Sequence, residues 1–160
     1  MKLGLISDTH GLLRAQVFDV FAGVDHILHA GDVGPAELLT ELEAIAPVTA
    51  VWGNVDGWDV RQRVKEVAEI ELEGVRIVVV HGMQLGSPTP EKVAAAYPHA
   101  QLAVFGHSHQ PVIRQVGQTL AVNPGSAGRQ RFRDPVSVAL AEIADGKVTA
   151  RLVDLDPSRK

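Results

Sequence analysis

Seven residues able to ligate a metal fall into five short islands of this 160-residue chain. The islands are Asp8-Thr9-His10, Gly31-Asp32, Gly53-Asn54, His81-Gly82 and Gly106-His107-Ser108-His109. Nearly every island follows an apolar run (LGLIS, HILHA, VTAVW, IVVV, LAVF), so each falls where a strand is expected to end. A carboxylate, an amide and imidazoles at the carboxyl ends of several strands describe a metal site, and the number of donors suits two ions better than one. Two cations held about 3.5–4 Å apart clamp a phosphoryl group during in-line displacement.

Each island also has a plainer reading. Asp8 and His10 are two apart, so an extended backbone would turn both to one side; Asp8 alone reads equally as a helix N-cap. Asp32 offers two oxygens that could bridge two cations, or it is a strand-to-helix turn residue. Asn54 adds an oxygen donor without charge to an anionic site, or it is a turn residue. His81 closes a buried strand, where a histidine is commonly hydrogen-bonded within the core. His107 and His109 alternate in FGHSHQP, which would present both neutral imidazoles on one side of an extended loop. His29 is near enough to Asp32 to orient it, or is simply buried. His26 flanks the same strand, and His99 reads as exposed. Asn123-Pro124-Gly125-Ser126 is a tight turn followed by Arg129, Arg131 and Arg133. That basic loop is either solvated or places Arg129 or a neighbour on a substrate phosphate.

The elements that must position these groups alternate in the first half. Strands are expected at 3–7, 26–30 and 48–52, with helices at 12–22 and from Pro35 to just before Pro47. This βαβαβ order implies a parallel sheet with right-handed crossovers. A hairpin follows at 67–72 and 75–80, then a short helix at 90–97 and a buried strand at 102–105. Residues 111–116 with 119–123, and 136–144 with 147–154, read as two more hairpins. Residues 55–66, 83–90 and 126–135 read as loops. An α/β first half feeding an antiparallel second half implies two stacked sheets flanked by helices.

Bulk properties narrow the class. Hydrophobic residues make up 46% of the chain and aromatics 4%, so the core must be aliphatic. One domain spanning 1–160 is expected. The absence of cysteine excludes disulfides and thiolate metal sites. No apolar run approaches the roughly 20 residues of a membrane helix. The charged motif close behind the first apolar residues is unlike a signal peptide, so a cytoplasmic location is expected. A net charge of −4 offers no general attraction to nucleic acid.

In this order the islands resemble the calcineurin-like metallophosphoesterase superfamily, with its pattern D-x-H, G-D, G-N-H-(D/E), a lone H and G-H-x-H. The likeness runs from residue 3 to about 126, and small size with the NPGS segment resembles the compact prokaryotic phosphodiesterase branch. The resemblance implies a four-layer α/β/β/α sandwich. It implies that Asp8, His10 and His109 hold one metal, that Asn54, His81 and His107 hold a second, and that Asp32 bridges them. The ions would be divalent, manganese first, with nickel, iron, cobalt or zinc also suited to such donors. The activity implied is phosphodiester hydrolysis by a hydroxide shared between the metals, with Asp32, Asn54 and His81 acting through it. One departure matters: Val55 stands where the pattern has a histidine that can protonate the leaving oxygen. The alternatives are an interaction scaffold like the retromer subunit of this superfamily, a nuclease, or a cyclic-nucleotide phosphodiesterase. A small phosphodiester is the expected substrate, and a homo-oligomer is consistent with the resemblance.

Overall fold

In a computed structural model, described here for residues 1–130 and 134–156, ten strands form two five-stranded sheets. The first sheet has the order β10-β9-β1-β2-β3. Its strands are β1 (Lys2–Ile6), β2 (His26–His29), β3 (Val48–Ala50), β9 (Ser137–Ala144) and β10 (Lys147–Asp154). β1, β2 and β3 are parallel, and β9 returns antiparallel beside β1, pairing Leu3 with Ala141 and Leu5 with Ala139. The second sheet has the order β4-β5-β6-β8-β7. It comprises β4 (Val67–Leu72), β5 (Val75–Val80), β6 (Leu102–Val104), β7 (Val112–Val116) and β8 (Thr119–Asn123). Its middle strands β5, β6 and β8 are parallel, and a hairpin closes each edge.

The apolar runs explain this layering. Strands covered on both faces cannot alternate polar and apolar residues, so they read as continuous Val, Leu and Ile. Leu3, Leu5 and Leu28 of the first sheet meet Val75, Ile77, Val79, Leu102 and Val122 of the second, in a core that fills the space between the sheets. Two helices, α1 (Ala15–Val20) and α2 (Glu37–Glu43), cover the outer face of the first sheet through Val17, Phe21, Leu38, Leu39 and Leu42. Helix α4 (Pro90–Ala96) covers the second sheet, packing Val93 on Val78, Val80, Ala103 and Phe105. Each fully buried aliphatic or phenyl side chain contributes about 1.5–3 kcal/mol. The order of layers is therefore α/β/β/α, as the resemblance implies. Among the described residues, no helix is long and apolar enough to cross a membrane.

Several elements differ from the sequence reading. Helix α1 begins at Ala15 rather than 12, because Gly11 is left-handed and Leu12 N–H closes a turn onto Thr9 O. β3 spans three residues, and Val51 makes only an isolated bridge to Lys65. A helix α3 (Trp58–Arg63) lies inside the segment read as loop 55–66. Val60 is its only buried residue, so there is no apolar periodicity to reveal it. Arg131 and Arg133 lie outside the described residues.

Candidate metal centre

The parallel strands of both sheets deliver their carboxyl ends to one edge of the sandwich. Backbone hydrogen bonds then lace the islands together. Asp8 N–H donates to Gly31 O at 3.0 Å, His10 N–H to Asp32 O at 2.9 Å, and Gly106 N–H to His81 O at 3.0 Å. The local backbone is not the extended chain that the residue spacing suggests. Asp8, His10, Asp32, His107 and His109 all have positive φ, between 47° and 72°. Left-handed backbone costs a non-glycine residue about 1 kcal/mol or more, and such strain persists only where the surroundings impose it. Here the side chains converge because each strand end turns sharply, not because residues alternate.

Six of the seven predicted ligands meet. Asp8 Oδ1 lies 3.2 Å from His109 Nε2, 3.8 Å from His10 Nε2 and 3.9 Å from His81 Nε2. Asp32 Oδ2 lies 3.1 Å from His81 Nε2 and 3.7 Å from His10 Nε2. His107 Nδ1 approaches His81 Nε2 at 3.3 Å. Two sets have ligand atoms close enough to share an ion: Asp8 with His10 and His109, and Asp8 with Asp32 and His81. Asn54, the seventh, sits exposed in the turn after Gly53. The next residue ties that turn to the cluster, since Val55 N–H donates to Asp32 Oδ1 at 3.1 Å. Arg129 is exposed, and among the described residues no hydrogen bond or ion pair joins it to the cluster.

A ring of groups, several of them not singled out in the sequence reading, surrounds the candidate ligands. Ser7 Oγ donates to Asp8 Oδ2 at 2.6 Å, and His107 N–H donates to the same oxygen at 3.2 Å. His81 Nδ1–H donates to Ala30 O at 2.8 Å, which turns Nε2 toward the carboxylates. Asp56 is buried and accepts from Gly53 N–H at 2.8 Å and Gly34 N–H at 3.1 Å, so it sets the turn that carries Asn54. It occupies the (D/E) place of the third motif, which was the available signal. His29 does not touch Asp32. Gly31 N–H donates to its Nδ1, so its Nε2–H donates to Thr9 Oγ1, whose hydroxyl donates to Val33 O. Asn123 donates to Gly106 O and Ser108 Oγ and accepts from Gly125 N–H, buckling the GHSH loop to the NPGS turn. Two glycines are required by closeness alone. A Cβ on Gly106 would fall on Ser7 Oγ and Asp8 Oδ2, and one on Gly53 would fall on Asp32.

The electrostatics suit a cation. Burial alone would raise the Asp8 carboxyl, but contacts with His10, His109 and Ser7 and the charge of His81 hold it well below the usual carboxylate range. Asp32 is likewise lowered, against its own desolvation, chiefly by His81. Burial pushes His81 down, yet its bond to Asp32 and the charges of Asp8 and Asp32 raise it overall. Burial lowers His107, and lowers His29 to about 4. Asp8 Oδ1 is buried among imidazole nitrogens 3.2–3.9 Å away but makes no well-formed hydrogen bond. An acceptor of that kind is expensive to bury unless something positive meets it. A divalent ion on Asp8, with imidazole nitrogens as co-ligands, satisfies that oxygen and fits an oxygen–nitrogen donor set.

Residues 1–146 match the model of the calcineurin-like phosphoesterase superfamily domain, and the chain belongs to that superfamily. It is similar to a probable metallophosphoesterase of Methanothermobacter thermautotrophicus, 37% identical across 96% of this chain and 92% of that protein. It is also similar to the phosphodiesterase YfcE of Escherichia coli K12, 31% identical across 89% of this chain and 88% of YfcE. Wild-type Vps29 of Entamoeba histolytica, solved in complex with zinc, superposes with a TM-score of 0.75 at 25% identity, over 97% of this chain and 99% of Vps29.

Proposed function

We propose that this chain is a metal-dependent phosphodiesterase that hydrolyses small diesters to a monoester and an alcohol. The observation that carries this reading is the convergence of two carboxylates and four imidazoles around the unbonded Asp8 Oδ1. Asp8, His10 and His109 would hold one divalent cation. His81, His107 and Asn54 would hold a second, with manganese the first candidate. Asp32 would be available to both, and the position of its Oδ2 between His10 and His81 supports that role. When bound, the cations supply a water acidified to near neutral pH and positive charge for the phosphoryl oxygens.

The residues do the rest. Ser7 and the His107 N–H hold one oxygen of Asp8 so that the other faces inward. The Ala30 carbonyl keeps the His81 proton on Nδ1. Val55 offers no proton to the leaving oxygen, so diesters with acidic leaving alcohols should turn over fastest.

The test is hydrolysis of bis(p-nitrophenyl) phosphate and p-nitrophenyl phosphate by metal-stripped protein, with and without Mn²⁺, beside Asp32→Asn. Metal-dependent diester cleavage lost in the variant supports the reading. Inactivity with Mn, Ni, Co and Zn despite stoichiometric uptake would sink it. The likeness to Vps29 would then favour a second reading, a metal-bearing interaction scaffold.

A further inference from the structure

Arg14 occupies the N-cap of α1, where it does not belong for the helix's sake. Its side chain makes no cap hydrogen bond, and a cation at a helix N-terminus opposes the dipole. It is nevertheless half-buried, because its Nε donates to Gly128 O at 3.2 Å. Gly128 in turn lies flat against the backbone of Asp8 and Thr9: a Cβ there would collide with Thr9 O and crowd Asp8 O. The residues just before it run along the same loop, with Ala127 N–H on Ser7 O at 3.0 Å and Ser126 Oγ on Asp8 O at 3.1 Å. The guanidinium is therefore pinned beside the segment that carries Asp8 and His10. Its terminal amino groups have no hydrogen bond or ion pair among the described residues.

We propose that Arg14 binds the substrate's anionic phosphoryl oxygens, in the role first considered for Arg129. The inference rests on the phosphodiesterase reading and names the group that would recognise its substrate. With Nε spent on Gly128, the two terminal amino groups keep the planar fork that matches two oxygens of a phosphate. The anchor removes most of the rotamer freedom that a surface arginine would lose on binding. Arg129, exposed one residue beyond Gly128, has no such anchor among the described residues.

The experiment uses manganese-loaded full-length protein. Inorganic phosphate is titrated calorimetrically into wild type, Arg14→Met and Arg14→Ala, and diester kinetics are measured in parallel. Arg14→Met keeps an apolar stem in the half-buried slot, so it remains readable if the alanine variant unfolds. A lost charge-assisted contact should weaken phosphate binding and raise KM by roughly 10- to 100-fold, with kcat and metal content little changed. A role limited to pinning Gly128 would instead lower the melting temperature or the metal content while leaving the phosphate affinity of metal-loaded protein intact. That pattern overturns the proposal. So do unchanged phosphate affinity and KM, or failure of phosphate to bind the wild type at all. Phosphate binding weakened by Arg14→Met in a protein that cleaves no diester would support Arg14 while refuting the phosphodiesterase reading.

Discussion

Ser7 and Asp8 form a 2.6 Å hydrogen bond between adjacent side chains at the end of β1, both fully buried. The bond occupies Asp8 Oδ2 and turns Oδ1 toward three imidazoles. Removing the hydroxyl leaves that oxygen with the His107 N–H alone. Ser7→Ala should weaken manganese binding by roughly 10- to 100-fold, as loss of an outer partner to a ligand generally does. Calorimetric titration of metal-stripped protein checks this. An unchanged affinity would mean that Asp8 needs no orientation.

Metal uptake should release protons, and its affinity should fall in acid. His81 is held above the ordinary histidine range by Asp32 and Asp8 despite its burial, so in the metal-free chain it is protonated to a higher pH than a free imidazole. A cation must displace that proton. Competition therefore begins at a higher pH than for an unperturbed histidine and strengthens as pH falls. Manganese titrations from about pH 6 to 8, in buffers of differing ionisation heat, should show falling affinity and a measurable proton release. Affinity independent of pH across that window would contradict it.

His29 gives the fold its own acid sensitivity. Burial depresses it from 6.5 to about 4, so between those values the unfolded chain binds a proton that the folded chain does not. Stability contributed by neutral His29 is complete above the unfolded value and is lost as pH falls toward the folded one, by up to about 3 kcal/mol. Urea unfolding of metal-stripped protein should show stability rising with pH across this window. In His29→Gln, which cannot titrate, the slope should be shallower by about one proton.

Asp56→Ala should damage both fold and site. It strips the partners from Gly53 N–H and Gly34 N–H at once. Each donor left unsatisfied costs about 1–3 kcal/mol. The turn carrying Asn54 would also loosen against Asp32, so metal affinity should drop with the melting temperature. Asp56→Asn, which can still accept one of the two bonds, should fall between the variant and the wild type.

The strands were legible because burial on both faces forbids alternation, so the largely apolar runs LGLIS, HILHA and IVVV stand out at β1, β2 and β5, each with a potential ligand close behind. The order of the islands carried the candidate ligands through the resemblance. What stayed hidden depended on distant partners. Ser7 reads as the last residue of an apolar strand, and its part becomes visible only when Gly106, a hundred residues on, brings its backbone against it. Helix α3 buries a single side chain and leaves no pattern. The alternation expected at Asp8/His10 and His107/His109 failed because positive φ is a tertiary imposition on residues that intrinsically avoid it. Nothing local in the sequence marks Arg14, whose hydrogen-bond partner is a carbonyl at position 128.

The placement of β9 has a consequence for how this chain emerges during synthesis. β1 is the third of five strands in its sheet, yet one of its two neighbours is not translated until some 130 residues later. At roughly 5–20 residues per second, the first strand waits on the order of ten seconds with one edge open. Every predicted ligand has by then been synthesised, but the sheet bearing Asp8 and Asp32 still lacks its closing hairpin. An open parallel strand of Leu and Ile is a template for mispairing. The nascent chain should therefore be most vulnerable to aggregation, and most in need of a chaperone, in the interval just before residue 137 appears.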